Sequence, residues 1–313
     1  MKQLFILENG AKGGNGDAEE RLRNLGGAGG FEIFEVASPA EAAERTKREA
    51  IRGGELRICA CGGDALLSAC VHAAAGFRNA AVTQWPLRGS ADFLATFGDD
   101  ARRFSDPAAL VRGFVRPVDV IDVSGRKCIG ACTVGADARI AADSAKCASL
   151  PLLGEKSGRR LSKAVNLLRG TDGEFTLRDP QHELNGRCTV VCAFNGRVCG
   201  AGGRMESAEP DDGLLDFAVL SAPPRLRAAQ VLEAYHRGEY GRFPEYLARV
   251  RARRLTVEAD DPFPVCIDGW VARMRTADIR VVPGGVNFIF PEGMEYFDMR
   301  DKKNEAETSK ISR

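Results

Sequence analysis

Three glycine-containing segments in the first hundred residues each follow a short apolar run, a placement suited to holding an anion. They read Asn9-Gly10-Ala11-Lys12-Gly13-Gly14, then Gly62-Gly63-Asp64, then Pro86-Leu87-Arg88-Gly89-Ser90-Ala91-Asp92. Glycine lets backbone amides close on a phosphate, and a helix starting just behind adds the positive end of its dipole. One such loop is commonly just a turn; three at successive strand ends point to a phosphate-bearing ligand. Lys12 is either a phosphate contact or a solvated loop residue. Asp64, in the middle loop, is placed to handle a proton, and equally to cap a helix opening at Ala65.

Those loops need a frame. Residues 4–7, 31–36, 56–61 and 80–84 read as strands, with helices between them. One helix opens at Asp17, a second at Ser38-Pro39-Ala40-Glu41 with Ser38 as cap and Pro39 in the first turn, and a third spans 65–75 and stops at Gly76. The alternation predicts a nucleotide-binding α/β domain, a doubly wound parallel sheet over residues 1–116, with ligands at the carboxyl ends of its strands. From about residue 118 the pattern changes to short β-segments at 118–123, 127–134, 174–178, 187–194, 214–220, 254–258, 265–267 and 277–282. Ser124-Gly125, Asn185-Gly186 and Asn195-Gly196 read as the turns between several of them. These features predict an all-β domain over 117–285, a β-sandwich, interrupted by helices near 157–168 and 225–236. Residues 286–300 are expected to pack back on the first domain, and the polar tail 301–313 to be disordered.

A hydrophobic fraction of 44% and a charged fraction of 28% are those of a soluble globular protein, and 313 residues suit two domains. A net charge of +1 argues against nucleic acid as a partner. No run reaches the roughly 18 to 20 apolar residues of a transmembrane segment, and the apolar start is too short for a signal peptide. A cytoplasmic location is expected, with the membrane periphery as the alternative. Lys156, Arg159, Arg160 and Lys163 give a basic amphipathic face that either docks on a membrane or is simply solvated. The ten cysteines contain no CxxC, and His72, His182 and His236 are scattered, so reduced core thiols are expected rather than a thiolate metal site. The spacings Cys59/Cys61, Cys128/Cys132 and Cys188/Cys192 put each pair on one face of a strand.

Taken in order, these landmarks resemble the catalytic domain of the diacylglycerol kinase family, which includes bacterial lipid kinases and sphingosine kinases. That family carries an Asn-Pro-x-x-Gly loop, a GGDGT loop and a third, proline-led glycine loop before a β-rich domain. Downstream, Val134-Gly135-Ala136-Asp137-Ala138, Asn195 with the glycines of 200–203, Asp211-Asp212-Gly213-Leu214-Leu215-Asp216 and Cys266-Ile267-Asp268-Gly269 resemble later family segments. The likeness spans about residues 3 to 290. It implies ATP-dependent phosphoryl transfer to the hydroxyl of a diacylglycerol-like or other lipid at a membrane surface, with Mg2+ as cofactor. The nucleotide contacts it implies are Asn9, Lys12, Gly13, Gly62, Gly63, Asp64, Arg88, Gly89 and Ser90. Asp64 becomes the general base or a metal ligand, and Asp268 a second catalytic carboxylate. Asp211, Asp212 and Asp216 become a structural Mg2+ site or a solvated turn. A homodimer is left open.

Several positions depart from the family pattern. Gly10 stands where the family has proline, and Ala65 where GGDGT has its last glycine; a Cβ there obstructs phosphate if the loop needs positive φ. Arg88, Gly89, Ser90 and Ala91 take the places of glycine, threonine, glycine and asparagine, although Arg88 can itself pair with phosphate. Trp270 replaces a glutamate taken as the base in bacterial members. These departures support an alternative, a non-catalytic homologue that binds lipid or nucleotide in a regulatory role. A third reading is a kinase for another hydroxylic substrate, such as a sphingoid base or a nicotinamide dinucleotide.

Overall fold

The computed structural model describes residues 1–9, 15–25, 31–87, 89–148, 172–179, 183–200 and 202–302, apart from the side chains of 15–17 and 144–148. The chain divides into two compact units, Met1–Pro117 with the segment from Val286 onward, and Val118–Gly285.

In the first unit, β1 (Lys2–Glu8), β2 (Phe31–Val36), β3 (Leu56–Cys61) and β4 (Ala80–Trp85) lie parallel in the order β2-β1-β3-β4. Every residue of β4 is buried, as a central parallel strand requires. The helices α1 (Asn15–Arg23), α2 (Pro39–Ile51) and α3 (Asp64–Ala74) follow β1, β2 and β3. The start of α2 is held reciprocally: the Ser38 hydroxyl accepts from the Glu41 amide at 3.3 Å, and the Glu41 carboxylate accepts from the Ala37 amide at 2.8 Å. After the third glycine loop comes a 3-10 run, Leu94–Ser105, bent at Gly98, then the short α4 (Pro107–Val111). The last strand, β13 (Trp270–Phe290), pairs parallel with β4 through Asn287 and Phe288. Its Phe288 and Phe290 join Phe93, Phe97, Phe104, Tyr296 and Phe297 in one aromatic cluster, with Phe97 5.3 Å from Phe290 and 5.2 Å from Tyr296. The Asp100 carboxylate accepts from the amides of Glu295 and Tyr296, both at 2.9 Å.

The second unit contains the end of β5 (Phe114–Val123), from Val118 onward, then β6 (Arg126–Cys128), β7 (Ala131–Gly135), β8 (Gly173–Arg178), β9 (Glu183–Phe194), β10 (Leu215–Ser221), β11 (Leu247–Ala252) and β12 (Arg254–Ile267), with α5 (Ala136–Ala148) and α6 (Arg225–Arg237). The antiparallel order is β11-β10-β9-β7-β12-β13, with β8 pairing both β9 and β12. Alternating side chains feed two cores. Val191, Phe217, Val265 and Ile279 enter one, and Val190, Cys192, Ala218 and Tyr235 enter the other.

Four sequence expectations are corrected. The segment 127–134 is two strands, because the chain bends at Ile129-Gly130, where a carboxylate clamps it. Asn185-Gly186 is no turn; both residues lie inside β9 and pair with Thr176 and Phe175. Cys188 and Cys192 reach different cores because the β9–β10 register shifts between Leu220 and Ser221, and such a bulge inverts the side-chain phase. Cys128 and Cys132 stand on separate strands, β6 and β7. The expected helix at 157–168 and the tail beyond residue 302 lie outside the described residues. Among the described residues no helix is long and apolar enough to cross a membrane.

Candidate active site

The second and third glycine loops are stitched together at the carboxyl ends of β3 and β4. The Gly62 amide donates to the Trp85 carbonyl at 3.1 Å, and the Asp64 amide to the Ser90 carbonyl at 3.0 Å. The Asp92 amide donates to Asp64 Oδ2 at 3.0 Å. Gln84, fully buried at the end of β4, donates from Nε2 to the Gly62 carbonyl at 3.1 Å. Close approach requires glycine here: at Gly89, where φ is 75°, an added Cβ would stand 3.2 Å from Gly63 Cα. A Cβ on Gly62 would meet Leu66 at 2.9 Å and Glu8 Oε2 at 3.0 Å. Asp64 Oδ1 and Gln84 Oε1 are both buried with no hydrogen-bond donor. Burial raises the Asp64 carboxyl above its ordinary range, while the Asp92 amide and the nearby side chains of Ser90 and Gln84 pull it back.

Two expectations for this loop change. Asp64 does not cap α3: it is the first helical residue, Gly63 holds the cap position, and no side chain makes a cap bond. The carboxylate reaches across to the third loop instead. Ala65 lies in the first turn of α3, and among the described residues positive φ outside glycine occurs only at Ser124 and Asp268, so its Cβ causes no backbone strain. Leu66 and Leu67 donate to the Gly63 carbonyl, whereas the amides of Gly63, Ala65, Gly89 and Ser90 meet no acceptor among the described residues. Unmatched amides beside a helix N-terminus fit an anion such as a nucleotide phosphate.

Of the other predicted nucleotide contacts, Asn9 is exposed just past β1, its amide donating to the Val36 carbonyl at 2.7 Å. Lys12, Gly13 and Arg88 lie outside the described residues. Sequence reasoning missed Gln84 and Glu8. The available signal was a polar residue inside an all-buried strand, and an acid closing β1 immediately before the first loop.

Asp268 belongs to the second unit, and its carboxylate is engaged by backbone amides. It occupies the left-handed region, φ 44°, and with Gly269, φ 87°, makes the two-residue turn joining β12 to β13, which the pair Ile267 and Trp270 closes. Its carboxylate accepts from the amides of Ile129 at 2.9 Å, Gly130 at 3.0 Å and Ala131 at 2.7 Å. This is the clamp that splits β6 from β7. Trp270 is 42% exposed, with the Arg126 guanidinium 4.8 Å from its ring centroid.

The acidic turn is organised by a residue the sequence reading passed over. Buried Asp119 accepts from the Gly213 amide at 2.7 Å and the Gly284 amide at 2.8 Å. Burial raises its carboxyl, and Asp211 adds to the effect. Asp212 and Asp216 both ion-pair with Arg251, and Asp216 also accepts from the Ser207 hydroxyl at 2.8 Å. Among the described residues no group of three His, Cys, Asp or Glu could hold a metal ion. Asp211, Asp212 and Asp216 therefore do not fit Mg2+ as they stand, because an arginine already neutralises two of them.

A parallel α/β unit with glycine loops, followed in the chain by an antiparallel β unit, is the fold of solved diacylglycerol kinases. Residues 130–290 match the family model described as the YegS C-terminal NAD kinase beta sandwich-like domain, and the chain belongs to that family. A Pseudomonas aeruginosa relative named "Probable lipid kinase YegS-like" is 27% identical over 306 residues, covering 93% of this chain and 95% of its own. A Stenotrophomonas maltophilia relative of the same name is 24% identical over 298 residues, covering 92% and 96%. The fold is matched by the crystal structure of a diacylglycerol kinase from Bacillus anthracis, with a TM-score of 0.65, 14% identity, and coverage of 94% of this chain and 97% of that one.

Proposed function

We propose that the chain is an ATP- and Mg2+-dependent lipid kinase that phosphorylates the hydroxyl of a diacylglycerol-like or other lipid, with Asp64 as general base. The observation that carries this reading is the Asp64 carboxylate, held between two glycine loops with Oδ2 anchored and Oδ1 lacking any donor. Burial raises its proton affinity in the direction a base working near neutrality needs. ATP, when bound, supplies the transferable phosphoryl group, and Mg2+ offsets its charge. The chain's part is to present the unmatched amides of Gly63, Ala65, Gly89 and Ser90 to an anion, exclude water from the loop junction, and take the alcohol proton on Asp64 Oδ1. No residue is assigned to Mg2+. The protein would work in the cytoplasm, at the membrane periphery.

Transfer of radiolabel from ATP to mixed diacylglycerols and sphingoid bases tests the reading. Asp64→Asn is expected to lower turnover by about 10² to 10⁴ with the fold intact; unchanged transfer would reject Asp64 as base. A second reading, a ligand-binding homologue without turnover, is favoured by Asp268, whose oxygens are committed to three amides, and by Trp270, which cannot accept a proton. Stabilisation by millimolar ATP with no transfer to any lipid hydroxyl would select it.

A further inference from the structure

Arg126 is a half-buried cation whose guanidinium makes no hydrogen bond among the described residues. Its Nε is buried without a partner, and no acceptor or ion pair engages its guanidinium among the described residues. It stacks on Trp270 at 4.8 Å. Asp268 lies near enough to act on it electrostatically, but both oxygens of that carboxylate are bound by backbone amides.

The placement of this pair is built with some care. Among the described residues the only non-glycine positions with positive φ are Ser124 and Asp268, and each opens a two-residue hairpin turn whose second residue is glycine. Arg126 closes the first of these turns by pairing with Val123, and Trp270 closes the second by pairing with Ile267. Both turns are pinned. Asp122 accepts from the Gly125 amide at 2.7 Å, the Ser124 hydroxyl accepts from the Asp278 amide at 3.1 Å, and Asp268 holds the 129–131 bend. The two pinned turns together hold one arginine against one tryptophan.

We propose that Arg126 and Trp270 form an anion seat for a phosphate group: the guanidinium fork takes the phosphate oxygens, and the exposed indole covers the carbon skeleton next to them. Guanidinium matches phosphate in a bidentate way, and a stacked, partly desolvated arginine loses little freedom on binding. The phosphate is either that of a phospholipid headgroup or a free one, and the seat does not depend on whether the chain transfers phosphoryl groups.

The chain carries its own reporter. Of its two tryptophans, Trp85 is 1% exposed and Trp270 is 42% exposed, so solvent-sensitive emission comes from Trp270. The full chain is titrated with inorganic phosphate, and separately with phosphatidylcholine vesicles with and without phosphatidylglycerol, while emission is followed. A response to phosphate assigns a soluble phosphate ligand; a response to the anionic vesicles alone assigns a headgroup. In either case Arg126→Gln is expected to weaken the response about 10- to 100-fold, the value of a charged bidentate pair. Arg126→Lys is expected to retain part of it, Trp270→Phe to remove the signal, and about 1 M salt to suppress it. Silence toward both probes, or a response unchanged in Arg126→Gln, overturns the proposal. The Arg126→Gln fold is checked by circular dichroism and its melting temperature.

Discussion

Replacing Asp268 with alanine separates a structural carboxylate from a catalytic one. The wild-type side chain accepts from three amides, at 2.9, 3.0 and 2.7 Å, all on the buried bend between β6 and β7. Alanine would leave three buried donors without an acceptor, at about 1–3 kcal/mol each. Partial repair by water and relaxation of the bend make the sum less than additive, so a loss of about 3–5 kcal/mol is expected. That corresponds to a fall in melting temperature on the order of 10 °C. Asp268→Asn should lose less, because one oxygen still accepts and asparagine tolerates the left-handed backbone. Gly130→Ala offers an independent check from the other side, since its Cβ would stand 2.8 Å from Asp268 Oδ1 and push the carboxylate off its amides. Urea unfolding followed by circular dichroism measures all three, beside phosphoryl transfer at a temperature where each variant is folded. A loss under about 1 kcal/mol, together with a hundredfold drop in transfer by Asp268→Ala, would refute the anchoring argument and restore a chemical role.

Three other outcomes follow from the geometry. Burial raises the Asp64 carboxyl, so folding is favoured with that group protonated; this stability is full below about pH 3.9, the unfolded value, and is lost as pH rises through the folded value. Asp64→Asn should therefore melt higher than wild type at neutral pH, with the gap closing toward about pH 4; a gap independent of pH between about 4 and 8 would contradict the buried charge. Gly135→Ala should cost about 2–4 kcal/mol, because φ is 87° and the new Cβ would lie 2.4 Å from the Thr189 carbonyl oxygen; retention of wild-type stability would show that β7 and β9 can separate. Burial pushes the thiols of Cys61, Cys128, Cys132 and Cys192 well up, and those of Cys70 and Cys266 to about 12, so an aromatic disulfide reagent should label none of them before urea unfolding.

The parts of the site legible in the sequence were those written locally. The strands flanking the glycine loops, the Ser38 cap of α2 and the Ser124-Gly125 turn each depend on residues within a few positions of one another. What escaped depends on partners far along the chain. Asp268 holds a bend 137 residues upstream of it, and nothing in its own Asp-Gly dipeptide announces that task. Asp119 reaches Gly213 across 94 positions. Gln84 was hidden because a polar residue in a buried strand has meaning only once its neighbour, the Gly62 carbonyl, is known. The β9 bulge defeated the two-residue periodicity from which the cysteine faces were read. Asn185-Gly186 carried a turn signature overridden by pairing with β8.

The end of β13 has a consequence for synthesis. As the chain leaves the ribosome, β4 and the rings of Phe93, Phe97 and Phe104 emerge long before Phe288, Phe290 and Phe297, the residues that cover them. Until translation passes that point the nascent α/β sheet offers an open edge and an uncovered aromatic surface, a target for chaperones and for aggregation. A frameshift or nonsense change near residue 285 would strand the molecule in that state, with all its glycine loops already made.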